Sequence, residues 1–86
     1  MKKFIVNTAI LAPKMEPKTC AANAPSMLKN AGITDVRLLS CYCCSSEARV
    51  IFVAEAENKE KALEALNRIN VPVASIIEAE EVKSAT

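Results

Sequence analysis

The sequence predicts an α+β domain, a four-stranded antiparallel sheet with two helices on one face, and three observations carry that prediction. Short β-branched and apolar runs alternate with helical periodicities in the order strand, helix, strand, strand, helix, strand. Prolines, asparagines and the single glycine fall between these segments as punctuation. The most continuous apolar runs are the first and third strands, the two that become central when this order folds as a split βαβ pair, the ferredoxin-like arrangement.

Taken in order, Lys3 to Leu11 is β-branched and apolar, and Ala12-Pro13-Lys14-Met15-Glu16-Pro17 ends it as a loop. Lys18 to Ala31 is alanine-rich, carries Met27 and Leu28, and stops at Gly32, well placed as the residue just past a helix end. Pro25 admits two readings: the helix kinks there, or Asn23 caps a shorter helix with Pro25 in its first turn. From Val36 to Cys44 a period of two sets Val36, Leu38, Ser40, Tyr42 and Cys44 on one side, and Arg37, Leu39, Cys41 and Cys43 on the other. Ser45-Ser46-Glu47 reads as a hairpin turn into Ala48 to Ala56, whose centre, Val50-Ile51-Phe52-Val53, is apolar on both faces. Asn58 is a good N-cap for a helix from Lys59 to Ile69 with Ala62, Leu63, Leu66 and Ile69 as its apolar stripe. Asn70 and Pro72 end it, Val73 to Glu80 forms the last strand, and residues 81–86 read as a flexible tail.

A chain of 86 residues makes one domain, residues 1–86, that buries roughly 60 to 65 per cent of its unfolded surface. With 51% hydrophobic and 24% charged residues it has the composition of a globular protein rather than a disordered one. Aromatics are only 3% and the net charge is +1, so neither a base-stacking platform nor a general attraction to polyanions or anionic lipid is available. Nucleic-acid and membrane partners are therefore not expected. Lys2 and Lys3 before Phe4-Ile5-Val6 begin like a secretory signal, but Asn7 and Thr8 break the apolar stretch. The expected compartment is the reducing cytoplasm, where four cysteines stay thiols unless a metal or catalysis holds them.

Catalytic chemistry finds few parts. The absence of histidine excludes Cys–His and Ser–His–Asp systems and imidazole metal sites, and one glycine cannot build a phosphate loop. The acidic run Glu78, Glu80, Glu81 reads as a solvated strand end. No catalytic residue is assigned.

Reactive side chains concentrate in Cys41-Tyr42-Cys43-Cys44, with Cys20 as a fourth thiol. The topology brings the start of the first helix and the end of the second strand to the same end of the sheet, so Cys41, Cys43, Cys44 and Cys20 are the candidate metal ligands. Thiolates at short spacing suit soft or borderline ions such as zinc or copper(I). The strand period puts a limit on the site: with Arg37 facing away from the helices, Cys41 and Cys43 fall on the open face and Cys44 beneath the helices beside Cys20. A regular strand then cannot deliver four sulfurs to one ion, whereas a bulge near Cys43, or a two-fold dimer uniting Cys41 and Cys43 of both chains, could. A disulfide fits less well, because Cys41 and Cys43 lie roughly 6.5 to 7 Å apart along a strand. The competing reading is that the cysteines pack as small hydrophobes. Leu39, Ile51, Val53, Ile5 and Ile76 are expected on the open face as well, an apolar patch that calls for a homodimer, sheet against sheet.

Ser40-Cys41-Tyr42, then Phe52-Val53-Ala54-Glu55-Ala56 leading into a helix, and Asn70-Val71-Pro72 followed by Ile76-Ile77-Glu78, resemble the nickel-responsive family of small ferredoxin-like proteins, mainly over the C-terminal half. The resemblance implies a dimeric α+β barrel associated with metal binding, nickel included. The chain departs from that family in having no histidine and in its added cysteines, so fold and dimerisation carry over and no ligand does. Two function classes follow: a homodimeric soft-metal accessory or sensor protein using thiolates, and a structural or regulatory homodimer whose cysteines only pack. A third, an enzyme using a cleft between sheet and helices, has less behind it.

Overall fold

Six elements appear in the expected order: β1 (Lys2–Thr8), α1 (Pro17–Asn30), β2 (Val36–Cys44), β3 (Arg49–Ala56), α2 (Lys59–Arg68) and β4 (Val73–Ala79), with a 3-10 turn at Ser45–Glu47 closing the β2–β3 hairpin. They come from a computed structural model that describes residues 1–9, 16–80 and 82. The end of the expected first strand, most of the proline loop and nearly all of the expected tail lie outside the described residues.

The sheet order is β2-β3-β1-β4, and all three pairings are antiparallel. This is the ferredoxin-like arrangement, with the two most apolar strands in the middle. α1 packs mainly over β2 and β3, and α2 over β4 and β3, so among the described residues the opposite face of the sheet carries no helix.

Local chemistry sets the helix ends. Pro17 occupies the first turn of α1, where its missing N–H leaves no bond unmade. Pro25 does not end the helix, which runs through it to Asn30, leaving the Ala21 carbonyl without its usual partner. At the C-terminus, Gly32 takes φ +76° while its N–H donates to the Lys29 carbonyl and that of Ile33 to the Leu28 carbonyl. A Cβ at residue 32 would meet nothing within 4 Å, so glycine serves conformation there rather than space. α2 closes the same way with Asn70 at φ 60°, where Asn70 and Val71 donate to the Asn67 and Leu66 carbonyls. At its start the Asn58 Oδ1 accepts from the Lys61 N–H at 2.9 Å, the expected cap.

The core lies between the sheet and the two helices. Phe4 and Val6 of β1, Val50, Phe52, Ala54 and Ala56 of β3, Ala24 and Leu28 of α1, and Ala62, Ala65 and Leu66 of α2 are all buried. Ile76 belongs to this core, opposite Val6, and not to the open face expected for it; its neighbour Ile77, opposite Ile5, is the exposed one. The pairing settles the choice between two adjacent isoleucines that hydropathy cannot separate.

Thr8 is the buried polar side chain among the described residues. It sits where the β1–β4 register slips, and its hydroxyl accepts from the Val50 N–H at 2.9 Å, extending the β1–β3 pairing by a side chain. Among the described residues no helix is long and apolar enough to cross a membrane. Thr8→Val keeps the shape and removes the acceptor, so it is expected to lower unfolding free energy by about 1 to 3 kcal/mol through the unsatisfied Val50 amide, measured as a lower urea midpoint with unchanged slope.

Candidate thiol site

The second strand does not keep the period that its sequence implies. Leu38 pairs with Ala54, but the next partner of β3, Val53, pairs with Ser40, so β2 holds one residue more than its neighbour across this interval. This bulge inverts every side chain beyond it. Cys41 and Cys43 pair with Phe52 and Val50, residues whose side chains are wholly buried beneath the helices, whereas Tyr42 and Cys44 pair with Ile51 and Arg49.

The assignment expected from a regular strand is thereby reversed. Cys41 and Cys43 lie on the helix-covered face and Cys44 on the open face. A bulge was among the expected ways to regroup the sulfurs, but it falls at Leu39 and Ser40 rather than near Cys43, and it separates Cys44 from the others.

Cys20 stands in the first two turns of α1, and both Cys20 and Cys41 pack against the main hydrophobic core. Burial pushes the Cys20 thiol above its ordinary value of 9.0. Burial does the same to Cys41, and the adjacent Cys20 adds to the rise because two thiolates would repel. Both therefore sit protonated at neutral pH. All four cysteines are half-buried and none is in a disulfide. Cys43 follows two residues beyond Cys41 on the same face. Among the described residues no group of three or more cysteine, aspartate or glutamate side chains is arranged to hold a metal ion.

The structure thus brings together Cys20 and Cys41 and excludes Cys44. What the arrangement can do is hold a small soft ion between two sulfurs, or pack as two small hydrophobes over the core. The open face is the second feature. Ile77, Ile5 and Val53 form a continuous apolar row completed on β2 by the bulged Leu39, with Tyr42 beside Ile51 in the next row. Ile5, Leu39, Tyr42 and Ile77 are exposed there, at 39%, 42%, 59% and 59%. Tyr42 and Ile77 were not expected on this face; adjacent apolar residues gave no contrast from which to find them.

No family model and no curated relative matches the chain. Among solved structures it is similar to the NMR structure of a heavy metal binding protein from Thermotoga maritima, with 20% identity and a TM-score of 0.45 over 90% of this chain and 98% of that one. A likeness of that degree assigns neither a family nor a ligand, the nickel-responsive family included.

The raised thiols fix a pH dependence. A thiol whose folded-state value lies above 9.0 holds its proton longer than in the unfolded chain, so its contribution to stability is complete below that value and fades as pH rises through the folded-state value. Denaturant midpoints are expected to fall from about pH 9 upward, and to fall less in Cys20→Ala and Cys41→Ala.

Proposed function

We propose that this protein binds one soft monovalent ion, copper(I), between the thiolates of Cys20 and Cys41. The observation that carries this reading is the bulge at Leu39 and Ser40, which turns Cys41 under α1 onto the side where Cys20 packs. Copper(I) is a soft d10 ion that thiolates select and that accepts two sulfurs in a line. Zinc takes four ligands in a closed site, and nickel favours nitrogen and oxygen donors in a plane; this chain has no imidazole to offer either. Protonated thiols mean that each sulfur engaged releases a proton, so affinity rises with pH. The half-buried setting lets a carrier reach the sulfurs while the core side stays dry. Such a protein carries or senses copper rather than transforming a substrate.

Transfer of copper(I) from a bathocuproine disulfonate complex under argon tests the reading. One copper per chain is expected, with affinity reduced at least about a hundredfold in Cys20→Ala or Cys41→Ala through loss of one of two soft ligands, and unchanged in Cys44→Ala. Retention of copper by Cys20→Ala, or no transfer to the parent protein, overturns it.

A second reading, compatible with the first, is favoured by the apolar row on the open face: the chain acts as a homodimer packed sheet against sheet. Four strands about 4.8 Å apart and about seven residues long span a face of roughly 19 by 23 Å, about 440 Å² in plan, so an interface of the ~800 Å² per partner that specific complexes use would engage the whole face with its side-chain relief. The net charge of +1 leaves little repulsion between copies. Sedimentation is expected to show a dimer for the parent and a monomer of unchanged circular dichroism for Val53→Glu; a monomeric parent would refute this reading.

A further inference from the structure

Resting on the copper(I) reading above, we infer that α1 is built in two pieces hinged at Pro25, and that its first two turns form a flap carrying Cys20 away from Cys41 to admit the ion and back to hold it. The joint is a matter of covalent structure. Proline has no N–H, so the Ala21 carbonyl accepts nothing from position 25, and the ring crowds that same carbonyl. The backbone ladder is weakened where the turns that bear Cys20 meet the turns that follow.

The two pieces are held very differently. Beyond the joint, Leu28 is buried in the core, and the helix end is tied down by the Gly32 N–H on the Lys29 carbonyl and the Ile33 N–H on the Leu28 carbonyl. Ahead of the joint, no residue from Pro17 to Asn23 is fully buried. Cys20 and Ala21 are the side chains of this stretch that pack against the core, and both are half-buried. Glu16, at the N-cap position, makes no side-chain bond to the helix backbone; its carboxylate accepts instead from the Thr19 hydroxyl at 3.4 Å. No acidic residue stands in the first turn, and Lys18 meets the positive end of the helix dipole there. α2 is made the opposite way, with the Asn58 cap and Glu60 in its first turn. A segment with few buried contacts, an uncapped end and a weakened ladder at its base opens at lower free energy than the helix it continues.

The placement of the thiols gives this opening a use. Cys20 rides on the flap, whereas Cys41 belongs to β2 and is fixed by its pairing with Phe52. An ion held by both sulfurs ties the flap to the sheet, and swinging Cys20 outward parts one sulfur from the ion without disturbing a strand. Pro25 thus acts on the rates of entry and release, through how often the flap opens, while the two sulfurs remain the ligands.

Amide hydrogen exchange reads the flap directly. In the metal-free parent the amides of residues 21–24 are expected to be at least about tenfold less protected than those of residues 28–31, and copper(I) to raise the protection of the first group selectively. Pro25→Ala restores the missing donor at an exposed position and is expected to bring the metal-free protection of residues 21–24 up toward that of 28–31. The same variant is expected to release copper(I) to bathocuproine disulfonate at least about tenfold more slowly, still with one copper per chain. Equal protection of the two stretches in the metal-free parent, or a Pro25→Ala variant that leaves residues 21–24 at the parental level, overturns the hinge and leaves copper binding standing. Copper bound without selective protection of residues 21–24, or released from Pro25→Ala at the parental rate, overturns the gating. A parent whose flap opens but which takes up no copper(I) overturns the gating and the copper reading together.

Discussion

Which way each sulfur faces depends on the β2–β3 register, and that register on one extra residue. β3 alternates without interruption, its even-numbered side chains from Val50 to Ala56 buried and its odd-numbered ones half-buried, and so acts as the ruler against which its neighbours are set. β2 follows that ruler from Val36 to Leu38 and again from Ser40 to Cys44, with the phase inverted between the two stretches. Without the bulge Cys41 would face away from the helices and Cys44 toward them. With it, Cys41 turns to the helix side, and Tyr42 and Cys44 join the open face.

The two faces then carry different physics. Beneath the helices partial burial raises the proton affinity of Cys20 and Cys41, since a thiolate there gives up part of its hydration without gaining a compensating charge. A cation between them would supply that charge, which is why the same burial that quietens the thiols toward other reagents still suits a metal. On the other face the sheet is apolar through its middle and carries charge toward both ends, with Arg37 and Glu55 at one and Arg49 at the other.

Much of the architecture was legible because the decisive residues have one physical use each. Asn58 before a helical stripe, Gly32 after an alanine-rich run, and Asn70 ahead of Pro72 mark helix ends by the bonds they make or the dihedral angles they tolerate, and all three act as read. The order of elements and the apolar character of β1 and β3 gave the sheet. The site was less legible because cysteine, serine and tyrosine differ too little in hydropathy to reveal the phase of a strand, and Leu38-Leu39 hides the point at which it changes. Ile76 and Ile77 pose the same difficulty: β4 also slips register, beside Asn7 and Thr8, and only the pairing shows which isoleucine is inside. Nearness of Cys20 to Cys41 joins residues far apart in the chain, and no local pattern encodes it.

The alanines of the interior have a consequence of their own. Ala54 and Ala56 on the sheet, Ala62 and Ala65 on α2, and Ala24 on α1 are all buried, so at these positions the layers meet through methyl groups set among the larger Phe4, Phe52 and Leu66. In such an interior the hazard is over-packing rather than cavity formation: one added methylene at any of these positions has to lift a helix or force a neighbour from its rotamer. Enlarging substitutions are thereby better borne on the solvent flank of α2 and at the exposed positions of α1 than in the middle layer.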